Sequence, residues 1–139
     1  MNKQPALSLS RGFSLLELLL VLALVSVLVG LGVPQWQGQQ IQLRRQLAWL
    51  NLQHIALAHA EYQHQVGEMA PDIASLGVSN NDVAYEYLLR LDESAFAIVA
   101  TVRTPGPQQN DQACWQLVWH SNDGNYALDH VGGNNTDCL

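Results

Sequence analysis

The chain has 139 residues, 48% of them apolar and only 13% charged, and six Lys plus Arg against twelve Asp plus Glu give a formal charge of −6. That suits one small globular head, is too apolar for a disordered tail, and is too acidic for the broad phosphate footprint of a nucleic-acid binder, so nucleic acid is not expected as a partner of this chain alone. Cys114 and Cys138 are the two cysteines; in an exported chain they can pair across a loop of about 25 residues, contributing roughly 3 kcal/mol of chain entropy, whereas in a reducing compartment they would stay buried thiols.

The first element is carried by "RGFSLLELLLVLALVSVLVGLGVP", residues 11–34. From Phe13 to Val33 only Ser14, Glu17 and Ser26 interrupt the apolar run, and at about 1.5 Å per residue a helix of this length covers roughly 30 Å, enough to cross a bilayer. Glu17 is the anomaly, because an acidic side chain in hydrocarbon costs roughly 2.5 to 3.5 kcal/mol near a helix centre and less toward an interface. A secretory signal peptide would put its small residue after the apolar core, but Gly12 stands before it. Lys3 and Arg11 precede the run while Arg44 and Arg45 follow it, so the distribution of positive charge does not by itself set the topology. Pro34 closes the run; it cannot donate a helical hydrogen bond and its ring crowds the carbonyl of Gly30, which predicts a kink or an easily melted turn.

Beyond Pro34 the spacing predicts that the helix continues to about Gln65, with Gly67 as its stop. It carries two apolar stripes: Trp36, Leu43, Leu47, Leu50 and Leu57 on one side, and Ile41, Ala48, Leu52, Ile55, Tyr62 and Val66 on another. One stripe can cover a domain's own core; the second serves neighbouring molecules or is wrapped by the same domain. His54, His59 and His64 recur every five residues, walking around the helix instead of stacking at metal-binding spacing, and read as solvated or interfacial.

Residues 67–84 have loop chemistry. Four strands are predicted over Tyr85–Leu91, Ala95–Val102, Cys114–His120 and Tyr126–His130, with hairpin turns at "DES" and "SNDGN" and a longer, proline-containing connection over residues 104–113. A four-stranded antiparallel sheet packed on the helix follows. Trp115, Leu117 and Trp119 alternate along the third strand and are expected to face the helix, with an exposed ligand-binding aromatic row as the alternative. No phosphate loop, zinc-type Cys/His cluster or nucleophile motif is present, so no catalytic residue, metal site or cofactor is expected.

Gly12-Phe13-Ser14-Leu15-Leu16-Glu17, after a short basic leader and before an apolar helix, resembles the class III signal of type IV prepilins and pseudopilins. The resemblance implies removal of a leader, residues 1–12, by a prepilin peptidase that cuts between Gly12 and Phe13 and N-methylates Phe13. It makes Glu17 the fifth mature residue, an acidic position that the family uses in assembly. Cleavage leaves four Arg against twelve acidic residues, a side-chain charge of −8. The segments "LQHIALAHAEYQHQVGEMAPD" and "ACWQLVWHSNDGNYA", together with the closing "TDC", are similar to PilE-type minor pilins of Gram-negative bacteria.

This likeness implies an α+β type IV pilin fold with a transmembrane and filament-core helix over 13–34 and a periplasmic head over 35–139. It also implies a Cys114–Cys138 bridge that closes the C-terminal loop, and a helix loosened at Pro34. The expected role is a structural minor pilin, not an enzyme, supporting adhesion, twitching motility or DNA uptake. Its expected partners are other pilin subunits, the prepilin peptidase and the inner-membrane assembly machinery. It would be single-pass in the inner membrane with its N-terminus cytoplasmic, then extracellular in the pilus. A pseudopilin of a type II secretion system, or a tip-located adhesin or DNA-receptor pilin, are the alternatives.

Overall fold

A run of good helix formers with few strong breakers favours one long helix, and α1 occupies Leu15–Val66. A computed structural model describes residues 14–92 and 94–139, and for residues 31–35 the backbone alone. The turn expected at Pro34 falls among the latter, and the helical assignment continues through it. Gly67 stops α1 as the sequence predicts: its backbone turns left-handed at φ 84° and its N–H donates to the Gln63 carbonyl at 2.9 Å, the geometry that glycine adopts without a Cβ penalty.

The chain divides into two compact units, Met1–Gly38 and Gln39–Leu139. In the first, the described leucines and valines between Leu15 and Val29 all stand exposed around the helix. Among the described residues no helix is long and apolar enough to cross a membrane. The side chains described in this run end at Gly30, and Leu15 to Gly30 spans only about 24 Å at the helical rise.

The second unit holds an antiparallel sheet in the order β1-β2-β3-β4, comprising β1 (Tyr85–Leu91), β2 (Phe96–Val102), β3 (Gln116–His120) and β4 (Gly124–Leu128). β1 and β2 follow the alternation in the sequence almost to the residue. β3 begins two residues later than predicted, after Cys114 has turned into its bridge with Cys138. β4 begins two residues earlier because Gly124, at φ 77°, closes a hairpin turn over residues 121–123 and already pairs with His120. The short 3-10 helices Ala74–Leu76 and Thr136–Cys138 complete the head.

One core lies between α1 and the inner sheet face. Ala48, Leu52, Ile55 and Ala56 meet Tyr85, Tyr87, Leu89, Ile98, Ala100, Leu117 and Ala127, and Trp115 and Trp119 pack against the same cluster. The expected inward orientation of the Trp-Leu-Trp row is therefore what the sheet adopts. On the outer face Ala97, Val99 and Val118 are buried with Tyr126 packed against them. One expectation is corrected. His59 is neither solvated nor interfacial but fully buried, because it shares the inward face with Leu52 and Ile55 at helical spacing; His54 and His64 are exposed. Val66, on the same stripe as Leu52 and Ile55, is exposed at the last residue of α1.

Candidate assembly surface

At about 100° per residue, Leu43, Leu47, Leu50 and Leu57 fall within a sector of about 80° of α1, and Ala48, Leu52, Ile55 and His59 fall on the opposite side. The structure separates the two sets: the second is buried, while the four leucines are 51 to 71% exposed. The helix is thus apolar on two opposing faces, only one of which its own domain covers. Fully burying a leucine contributes about 1.5 to 3 kcal/mol, so four leucines left half open or more are a binding surface in waiting. Trp36, in the first unit, is exposed as well.

Glu17 also lies in that unit and is exposed. No Lys, Arg or His occurs among residues 14–38, so a cation for Glu17 has to come from outside this stretch of helix. The Gly12–Phe13 junction, where the leader would be cut, lies outside the described residues.

Polar clamps hold the head to the lower turns of its helix segment. Arg45 is bidentate on Asp111, with Nε at 2.7 Å and an Nη nitrogen at 2.6 Å from the two carboxylate oxygens. Gln108 donates from Nε2 to Asp111 at 2.8 Å and to the Ile41 carbonyl at 3.2 Å, and Arg44 donates to the Pro107 carbonyl at 3.1 Å. The Asp111 carboxylate holds the Arg45 guanidinium above its usual pKa, against the opposing effect of burial. The Tyr85 hydroxyl and the Gln108 carboxamide oxygen are both buried, and burial pushes the tyrosine's pKa up.

On the same stretch of helix the Trp49 indole N–H donates to the Cys138 carbonyl at 3.0 Å, and the Cys114–Cys138 disulfide closes the C-terminal segment with Cα atoms 5.8 Å apart. Gly106 lets residues 103–113 turn tightly beside the clamp: a Cβ there would stand 2.6 Å from the Arg103 carbonyl oxygen.

A second network fixes the loop between α1 and β1. The Asp82 carboxylate accepts from the Ala84 N–H and, at 2.8 Å, from the Tyr87 hydroxyl, which in turn accepts from Asn51 on α1 at 3.0 Å. Asn80 acts as a one-residue strand on the free edge of β1, donating to the Tyr87 carbonyl and accepting from its N–H. Arg103 donates to the Asp82 and Tyr85 carbonyls. Beside this network is an open hollow of about 530 Å3, bordered by Leu47, His54, Val78 and Val83. Among the described residues no group of three or more side chains is arranged to hold a metal.

The disulfide and the presence of two apolar stripes were legible in the sequence. The Arg45–Asp111 clamp was not: its partners are 66 residues apart, and a lone Asp in a polar loop announces no partner. The Asn80 and Asp82 anchors had only the general turn chemistry of their segment as a signal.

Comparison with known proteins bears on the same two regions. Residues 7–33 match a family model described as the prokaryotic N-terminal methylation motif. Over 114 residues, 81% of its length, the chain is 25% identical to the type IV major pilin protein PilE1 of Neisseria gonorrhoeae, and it spans 63% of the length of that relative.

Proposed function

We propose that this chain, which carries the N-terminal methylation motif and is similar to a type IV major pilin, is a prepilin of the type IV family and a structural pilus subunit that assembles through the exposed surface of α1. The observation that carries this reading is the helix surface: leucines and valines exposed around the first unit, then an outward stripe of Leu43, Leu47, Leu50 and Leu57 on a helix whose other face is already used by its own core. Such surfaces persist only against lipid or other subunits.

In this reading the prepilin peptidase cuts between Gly12 and Phe13 and methylates Phe13. The segment 13–34 then anchors the subunit in the inner membrane, N-terminus first, until the assembly machinery draws it into the fibre, leaving the head 35–139 periplasmic and later extracellular. Glu17 finds its counter-charge in the Phe13 amine of a neighbour: opposite charges about 4 Å apart attract by about 4 kcal/mol at an effective dielectric near 20. A subunit out of register leaves the carboxylate buried and alone, which favours ordered addition. The finer reading is a minor pilin supporting adhesion, twitching motility or DNA uptake, with no catalytic step required.

The test is deletion of the gene in its host, scoring surface pili by microscopy and secreted proteins in the medium, with wild-type and Glu17→Ala complementation. Pili are expected to be lost, or functionally impaired, while secretion stays intact, and Glu17→Ala is expected not to rescue. Intact, fully functional pili with lost secretion would transfer the protein to a secretion system as a pseudopilin. Mass spectrometry of protein from peptidase-competent cells should find N-methylated Phe13 as the first residue; an uncut Met1 terminus would sink the prepilin processing.

A further inference from the structure

Three polar or charged side chains are buried among the described residues; Gln108 and Asp111 belong to the Arg45 clamp, and the third, His59, belongs to no network. Neither His59 Nδ1 nor Nε2 has a hydrogen-bond partner. Its ring instead lies on Phe96, centroids 3.9 Å apart and planes 25° apart, and Phe96 meets Trp119 at 5.3 Å. The imidazole therefore serves as an aromatic plate joining α1 to β2 and β3. The uncharged ring suits that place, because an imidazolium needs an acceptor at each nitrogen and none is offered among the described residues.

A second histidine sits at the same end of the sheet. His120 pairs with Ala97, next to Phe96, and Phe96 is tied to the β3–β4 turn through Ser121, whose N–H donates to the Phe96 carbonyl at 3.0 Å. Nδ1 of His120 accepts from the N–H groups of Asn122 at 3.2 Å and Asp123 at 3.1 Å. That acceptor role assigns the tautomer with the proton on Nε2. The Asp123 carboxylate lies 3.4 Å from Nδ1.

We propose that His59 makes this end of the head an acid-responsive joint, closed while its ring is neutral and opened when a proton unstacks it from Phe96. The other titratable or charged groups on the described elements nearby are Arg90 and Asp92 at the end of β1, and Glu61, Tyr62 and His64 farther along α1. Burial lowers the pKa of His59. Because the folded state disfavours the charged ring, its contribution to stability is complete above the ordinary histidine pKa of about 6.5 and drains away as the pH falls below it.

The joint borders an apolar hollow of about 550 Å3 lined by Gln53, Ala56, Leu57, Ala60, Phe96 and Trp119. Leu57 belongs to the outward stripe as well, so opening the joint reshapes part of the surface assigned above to subunit contacts. The joint itself does not depend on that assignment.

The test uses the full chain in detergent micelles. Histidine-ring NMR between about pH 8 and about pH 5 should place the His59 midpoint below the ordinary histidine value of about 6.5. His59→Phe keeps a stacking ring without a titrating group and is expected to retain the melting temperature at the alkaline end while losing at least half of its acid-induced fall. A His59 midpoint at or above about 6.5 overturns the proposal, as does a His59→Phe chain whose melting temperature falls with acid as steeply as the wild type. Should His59→Phe not fold, the ring titration of the unmodified protein decides.

Discussion

Replacing Arg45 with alanine tests whether the clamp, and not the small core beside it, holds the lower turns of α1 to the head. The Asp111 side chain is only 2% exposed and the Arg45 side chain 20%, so the two single substitutions differ in what they strand. Arg45→Ala leaves a buried carboxylate with Gln108 as its remaining side-chain donor, and removing one partner of a buried pair costs about 3 to 5 kcal/mol. Asp111→Ala leaves a guanidinium that already reaches solvent, so its cost should be smaller, about 2 to 3 kcal/mol. For a domain of about 100 residues each kcal/mol moves the melting temperature by about 4 to 8 °C, so Arg45→Ala should melt at least about 12 °C below wild type. The assay is thermal or urea unfolding of the purified chain in detergent, followed by circular dichroism, with the double variant completing a cycle. The double variant should cost less than the two singles added. An Arg45→Ala midpoint within about 4 °C of wild type, or strictly additive effects, would refute the clamp.

Other consequences separate folding from assembly. Leu50→Asp, on the outward stripe, should leave the melting temperature of the isolated chain nearly unchanged yet exclude it from fibres in a pull-down of sheared pili. Leu52→Ala, from the buried face, should instead cost about 2 to 5 kcal/mol of stability. Cys138→Ser should lower stability by roughly 3 kcal/mol through the loop it frees. Because the bridge also holds the segment that accepts from Trp49, proteolysis of that variant should begin near the C-terminus; unchanged melting and proteolysis would remove the bridge from the set of structural clamps.

What the sequence conveyed followed the range of each interaction. Periodicities of two and near three and a half are written locally, so β1, β2, the end of α1 at Gly67 and the division of α1 into two apolar faces could be read directly. Spacing alone could not say which stripe would be buried; that depended on Tyr85, Ile98 and Leu117 arriving from the sheet. His59 was misread for the same reason: as one of three histidines at intervals of five it appears solvated, and only the approach of Phe96 encloses it. The two strand boundaries that moved were set by the bridge at Cys114 and the left-handed turn at Gly124, constraints that periodicity does not report.

The polar contacts along α1 are unevenly distributed, and the unevenness has a mechanical meaning. Between Ile41 and Trp49 the only fully enclosed apolar side chain of the helix is Ala48, too small to anchor a helix by burial alone. In the same turns Arg44, Arg45, Ile41 and Trp49 all bond to residues 107–111 or to Cys138. Farther along, Leu52, Ile55 and Ala56 supply the burial and fewer polar ties are present. A fibre contact on Leu43, Leu47 and Leu50 would pull on the turns where apolar anchoring is weakest. Directional bonds resist sliding and peeling in a way that non-directional burial does not. The clamp, the indole bond and the disulfide therefore stand where a subunit carrying load through its helix would otherwise separate from its own head first.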